Sequence, residues 1–458
     1  MVFDILKFLF ICLEVVLIFN LLIVVHELGH FLAAKWRGLV VEKFAIWFGK
    51  PIWKKTVNGV EYRLGSIPAG GFVAIPQLAP MEALEGKVEQ SRDQLPPVKP
   101  LDKIIVAAAG PLFSFGLAFV MACVVWFVGK PQSEFDSPTI GYVEAGGPAD
   151  KAGLRVGDVI VAVDGQPVKH FASGTDSVKW RIVRSEGATI AFTVKREGQE
   201  ITIPTGWTKP ETSSWRRPAL REVQIGPRLT PGIGFVIHGS IADKAGFQAG
   251  DLITAADGQP IFNLREIGPL VDANRGKSLA VTVERKGAEV ALMLPLPPAT
   301  PEAKPVNFGI DWGRTTLVYP GPVSQVRDAA TSIFRMVGAL LSPKSDVKAA
   351  HFSGPVGIMR LYYQIFENEN GWRLALAFSV LINVNLALIN LLPFPVLDGG
   401  HITLAIIEGI RRKPINIRVL EFVQTACALA LVGFMLYLTF YDVGDIFAPK
   451  PPVAEKSK

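Results

Sequence analysis

Residues 21–30 read LLIVVHELGH. Five apolar residues that suit lipid run straight into His26, Glu27 and His30, which lipid rejects. On an α-helix, residues four apart share a face, so the imidazoles of His26 and His30 can reach one metal ion. Neutral imidazole suits Zn2+, and a catalytic zinc takes three protein ligands and leaves one position for water. Glu27, next to the first ligand, can reach that water as general base, and the metal lowers the water's pKa to about 7. H-E-x-x-H by itself also arises by chance. The plain alternative is a set of polar residues at a helix end facing the water interface, and a third ligand separates the two.

The rest of the chain fits a membrane protein with soluble parts. Of 458 residues, 49% are hydrophobic and 19% charged, and the mean hydropathy is +0.33. The net charge of +6 is modest, and no basic run interleaved with aromatics points to nucleic acid, so no nucleic-acid partner is expected. Cys12, Cys123 and Cys427 fall in apolar segments, without the spacing of a zinc site or a disulfide framework. Four segments, at residues 3–34, 104–128, 374–392 and 420–441, reach the roughly 20 apolar residues a bilayer needs. The first has too long an apolar run for a signal peptide and no small-residue cleavage site, so it is expected to be retained. Lys35, Arg37, Lys43, Lys50, Lys54 and Lys55 follow the first segment, and Arg411, Arg412, Lys413 and Arg418 lie between the third and fourth. The positive-inside rule makes both loops cytoplasmic and puts both termini and residues 129–372 outside. In a bacterium with two membranes the outside is the periplasm.

The outer segment repeats itself. GYVEAGGPADKAGLRVGDVIVAVDGQPV from Gly141 aligns without a gap to GFVIHGSIADKAGFQAGDLITAADGQPI from Gly234, and FTVKREGQE later matches VTVERKGAE. A repeat this long is a duplicated domain, with alternating strands and Gly/Asp turns. PLPPATPEAKP from Pro295 closes the second copy as a linker. Between the first two spans, VNGVEYRLGSIPAGGFVAI from Val57 opens on an Asn-Gly hairpin turn. It is expected to fold back toward the membrane as short strands, shielded by protein because open sheet edges are not tolerated in lipid; an ordinary cytoplasmic hairpin is the alternative. Residues 324–341 carry apolar residues at helical spacing. They either lie along the outer membrane surface or pack in a small linker domain.

The third ligand is sought in a late span. INLLPFPVLDGGH from Ile389 contains Asp398 in an apolar helix that is expected to break at Pro393 and Pro395 and to end at Gly399-Gly400. A carboxylate at such depth costs about 2.5–3.5 kcal/mol on insertion scales, which makes it a functional candidate by default. Zinc ligation would stabilise its charged form. Otherwise it is a helix-end Asp at the interface with His401 as a neighbour. Glu42 lies too close to the first motif to serve.

H-E-x-x-H in a first span, together with N-x-x-P-x-P-x-L-D-G-G in a late one, resembles the site-2 protease family of intramembrane metalloproteases. FGKPIW from Phe48, GGFVAI from Gly70, AGP at 109–111, SGPVGI from Ser353 and the duplicated outer domain resemble its regulator of sigma-E protease branch. The repeats themselves resemble bacterial, permuted PDZ domains. The resemblance runs along essentially the whole chain. It implies an intramembrane zinc endopeptidase with one Zn2+ per chain, His26, His30 and Asp398 as ligands and Glu27 as catalytic acid/base. Its substrates would be transmembrane segments of single-span membrane proteins, such as anti-sigma factors or remnant signal peptides. Asn390 would hold substrate backbone or an oxyanion. Gly70, Gly71, Phe72 and Val73 would present a strand from a membrane-reentrant β-loop, while Asn383 and Asn385 either serve substrate or bond between helices. Ile140, Gly141 and Tyr142, and Ile233, Gly234 and Phe235, would be PDZ loops receiving peptide C-termini; otherwise the domains act as spacers or size filters. This chain departs from the family at Ser114, where Asn is common, and after Val73, where Lys is usual.

The expected fold is a membrane α-helical core of four transmembrane helices with a membrane-associated β-hairpin or β-loop, plus two periplasmic β-rich PDZ domains. The expected segments are 1–36, the first transmembrane helix with HELGH; 37–102, the cytoplasmic, membrane-reentrant β-loop region; 103–130, the second transmembrane helix; 131–219 and 220–300, the PDZ domains; 301–372, a linker with amphipathic helices; 373–400, the third transmembrane helix with LDGG; 401–418, a cytoplasmic basic loop; 419–443, the fourth transmembrane helix; and 444–458, a tail. The place is a bacterial inner membrane, with the active site toward the cytoplasmic side. Two rival readings fit less well. An inactive membrane PDZ scaffold predicts loss of a site residue, and all are present. A zinc transporter needs polar residues along several spans, and here they cluster in two.

Overall fold

The computed structural model describes all residues except 1, 82–94, 97, 134–136, 173, 213–215, 230, 299–305, 307, 314, 367–369, 414–416 and 448–458. The end of the Pro-rich linker and most of the tail therefore lie outside the described residues. The chain divides into two compact units: Met1–Lys130 with Tyr319–Phe334 and Ala349–Lys458, and Pro131–Val318 with Arg335–Lys348.

Four helices of the first unit are long and apolar enough to cross a membrane: Phe8–Trp36, Pro100–Val128, Gly371–Asn390 and Arg418–Ile446. Pro100 opens the second, where its missing N–H costs nothing, and Gly129 at φ 77° ends it. The first three pack together around Leu22, Met121, Ala122 and Val380. Residues 322–341 form a helix. Its Gln325 amide donates to the Ala122 carbonyl at 3.0 Å, and its Ala329 is buried with Ala118 and Val384. This helix therefore packs against the second and third spans.

The third span differs from expectation. It ends at Asn390, and Asp398 begins a separate helix, Asp398–Arg411. Pro393 and Pro395 disfavour helix before them, while an acidic residue suits the first turn of the next helix. The LDGG sequence thus starts a helix instead of closing the span, and most of the expected basic loop is helical.

Strands Lys43–Val57 and Val60–Ala74 form one hairpin, turned at Asn58 (φ 52°) and Gly59 (φ 80°). The register is compound. Lys43–Ile46 lies opposite Glu61–Leu64 and also opposite Gly71–Ala74, while Glu61–Leu64 additionally meets Trp53–Thr56. Lys43–Ile46 is therefore central and Gly71–Ala74 is an edge. Phe44, Val60, Val73 and Ile75 of this curled sheet share a core with Phe31 of the first span and Val106 of the second.

The second unit contains the sequence repeat as two like sheets. The first has strands in the order 166–167, 159–163, 190–196 and 199–205, and the second 259–260, 252–256, 278–285 and 288–295. Each closes on a late strand, Ile225–Pro227 against Ile140–Val143 and Ile310–Trp312 against Ile233–Val236. Each repeat's first strand thus pairs with chain beyond residue 219 or 300. The Asp of each shared Gly-Asp step is buried and held bidentately: Arg196 grips Asp158 and Arg285 grips Asp251, all at 2.7 Å. The Asp251 side chain is 0% exposed. Arg285→Leu should strand that charge and cost about 3–5 kcal/mol. Urea titration read by protease cleavage within the second repeat tests this, and an unmoved midpoint would mean that the pair contributes nothing.

Candidate metal centre and substrate cavity

The first span carries His26 and His30 one turn apart, and the helix that starts at Asp398 brings a carboxylate to both. His26 Nε2 lies 3.2 Å from Asp398 Oδ2 and His30 Nε2 lies 3.5 Å from Oδ1, and the two Nε2 atoms are 3.3 Å apart. A tetrahedral zinc with bonds of about 2.0–2.1 Å holds its donors about 3.3–3.4 Å apart. The two nitrogens have this spacing, each has a carboxylate oxygen of Asp398 at a like distance, and one donor atom from each residue lies within 4.8 Å of the others, so the donor set fits zinc in chemistry and in size.

The far ring nitrogens are engaged. His30 Nδ1 is 2.8 Å from the Val106 carbonyl. A carbonyl only accepts, so that nitrogen carries the hydrogen and leaves the Nε2 lone pair facing the centre in the neutral ring. His26 Nδ1 is 3.0 Å from Ser114 Oγ. Ser114, a departure in the sequence, is fully buried and orients an imidazole. The second span presses closely on the rings: a Cβ at Gly110 would stand 2.2 Å from His30 Nε2 and 2.9 Å from His26 Nε2.

A cavity of about 280 Å³ opens on this cluster. Glu27, Gly70, Gly71, Val73, Asn390 and His401 stand in its wall with the three clustered residues. Phe72 is buried instead, stacked on Phe48. A Cβ at Gly71 would sit 3.1 Å from Glu27 Cγ, so the strand edge and the acid are neighbours. No strand pairs with the outer side of Gly71–Ala74 among the described residues. Asn390 Nδ2 is 3.5 Å from His26 Nε2. Asn383 and Asn385 are not in the wall; Asn383 donates to the Ser379 carbonyl in its own helix.

The expected peptide loops lie in the first strand of each repeat, Ile140–Val143 and Ile233–Val236. Ile140–Val143 has Ile225–Pro227 on one side. On the other, Ile140 N–H donates to Asp158 and Ile160 N–H to Pro138. Ile233–Val236 has Ile310–Trp312 on one side; on the other, Ile233 N–H donates to Asp251 and Ile253 N–H to Pro231. Asn263 also caps the Gly141 carbonyl at 2.7 Å. Ile140 and Ile233 thus have backbone partners on both sides. The outer sides of Ile225–Pro227 and Ile310–Trp312 carry no strand among the described residues.

Sequence reasoning did not place Gly110 or the Val106 carbonyl at this site, and it marked Ser114 only as a departure and His401 only as a neighbour of Asp398. Ala109-Gly110-Pro111, a run of small residues in a span, was the one available signal for close helix approach.

The sequence model of Peptidase family M50 matches residues 14–434. The regulator of sigma-E protease RseP of Escherichia coli (strain K12) is 32% identical over 458 residues, covering 92% of this chain and 96% of that protein. Protease RseP of Yersinia pestis is 30% identical over 448 residues, with 92% and 96% covered. A Neisseria meningitidis protein provisionally named as a zinc metalloprotease is 30% identical over 460 residues, with 93% and 97% covered.

Proposed function

This chain belongs to peptidase family M50 and is an RseP-type, site-2 protease family metalloprotease, and we propose that it cuts the transmembrane segments of single-span membrane proteins. The observation that carries this reading is the His26–His30–Asp398 cluster on the wall of a cavity shared with Glu27 and an open strand edge.

In the proposed site, His26, His30 and Asp398 hold one zinc ion per chain. Bound there, the metal supplies Lewis-acid polarisation and a water acidic enough to ionise near neutral pH. Glu27 takes the proton of the attacking water and returns it to the leaving amine as the C–N bond breaks. A substrate helix shields its own peptide bonds and must first become extended. Its freed N–H and C=O groups cost several kcal/mol each in lipid unless paired. The edge Gly71–Ala74 supplies those partners by strand addition beside Glu27, and the Asn390 amide donates to the carbonyl under attack.

We further read the two repeats as PDZ domains that admit substrates already trimmed outside the membrane. The chain would lie in a bacterial inner membrane, with the repeats and termini periplasmic and the zinc site toward the cytoplasm. Anti-sigma factors and remnant signal peptides are the substrate classes proposed.

The test is cleavage by the purified chain in lipid vesicles holding a single-span substrate. The expected product is cut within the apolar segment, vanishes on treatment with a zinc chelator and returns with added zinc. Cleavage confined to soluble loops, or unchanged by chelation, would sink the reading and leave the inactive scaffold as the better account.

A further inference from the structure

Trp47 has φ +69°, the only aromatic residue with positive φ among the described residues. That region costs a bulky side chain about 1–3 kcal/mol and persists only where neighbours enforce it. Trp47 follows directly on Lys43–Ile46, the central segment of the curled sheet, whose far neighbour is Gly71–Ala74. The unusual φ turns the indole back to the first span, where its N–H donates to the Asn20 side-chain oxygen. The Asn20 amide nitrogen donates in turn to the Val16 carbonyl at 2.7 Å. Asn20 stands well inside the candidate span Phe8–Trp36, six residues before His26, or about 9 Å along the helix. An unpaired amide or indole N–H at that depth has no water to turn to, so each group holds the other in place. Phe48, the next residue, covers the start of that edge: its ring lies against Gly70 and stacks on Phe72 at 6.2 Å.

We propose that Asn20 and Trp47 form a docking pair that sets the depth of the strand Gly71–Ala74 beside Glu27, and so selects which peptide bond of a substrate is cut. This rests on the reading of that strand as the substrate's docking edge. Both are positioning residues, since neither lines the cavity. Loss of the pair frees the central strand to slide along the first span. A strand repeats its facing pattern every second residue, so a slipped edge presents a bond about two residues away.

The experiment uses the full chain in vesicles with a single-span substrate and compares Asn20→Leu, Trp47→Phe and the double variant. Zinc content, KM, kcat and the bond cut, mapped by mass spectrometry, are read together. Each single variant should keep its zinc, raise KM about three- to tenfold, as loss of one hydrogen bond implies, and spread cleavage to a second bond. The double variant should be no worse than either single, because both remove one interaction. Asn20→Gln, which keeps an acceptor, should restore part of the wild-type KM. Wild-type KM and a single cut in Asn20→Leu, additive effects in the double variant, or loss of zinc in Asn20→Leu would each overturn the proposal. Glu27→Gln run in parallel separates the failures. If it cleaves, the protease reading of the site is wrong; if it is inert while the docking variants behave as wild type, only the docking pair is wrong.

Discussion

Glu27→Gln should keep its zinc and lose about 10²- to 10⁴-fold in cleavage rate, the range that general acid–base catalysis supplies. Glu27 lies in the cavity wall next to the metal cluster yet is not part of it. Gln preserves the size and polarity of the side chain, so the His26–His30–Asp398 spacing has no reason to change. What Gln lacks is a lone pair basic enough to take a proton from water and hand it to the departing amine. Substrate docking should survive, because the edge Gly71–Ala74 is untouched, and KM should move little. Rate and zinc content must therefore separate. A variant that cleaves within a few-fold of wild type would show that Glu27 is not the base. Loss of zinc along with rate would show that it helps hold the metal.

How much of this site is readable from sequence depends on the range of the cause. His26 and His30 are legible because helical geometry acts over four residues, and Asn58-Gly59 because a hairpin turn is a two-residue decision. Asp398 was legible as a carboxylate misplaced in an apolar stretch, but its setting was not. Gly399 and Gly400 look like a helix end. In the structure they open a helix onto which residues 391–397 fold back: a Cβ at Gly399 would lie 2.2 Å from the Leu391 carbonyl oxygen, and one at Gly400 2.0 Å from that of Phe394. Close approach by the preceding chain, invisible in a local pattern, is what requires glycine there. Local pattern is equally silent on the pairing of Ile140–Val143 and Ile233–Val236 with strands some 80 residues onward. Ser114 shows the converse: it stands out only as a departure, and its value lies in a contact to His26 across 88 positions.

Gly110→Ala should disable the metal centre nearly as well as removing a ligand. Asp398→Ala deletes one of three donors and should leave zinc occupancy far below one per chain. Gly110 donates nothing, yet a methyl there would sit 2.2 Å from His30 Nε2, 2.5 Å from His30 Cε1 and 2.9 Å from His26 Nε2. No real contact is that short, so one or both imidazoles must swing away. The rings have little freedom to do so, because the Val106 carbonyl and Ser114 fix their far nitrogens. Displacing the groups that orient metal ligands typically costs 10- to 100-fold in affinity, and about that loss or more is expected here. Gly116, on the same helix, has nothing within 4 Å of its missing Cβ. Gly116→Ala therefore makes the same chemical change without the clash and should bind zinc as wild type does. Chelator competition on all three purified variants decides the matter. Wild-type affinity in Gly110→Ala would mean that the imidazoles do not converge beneath the second span, and the cluster would lose its claim to be the metal site.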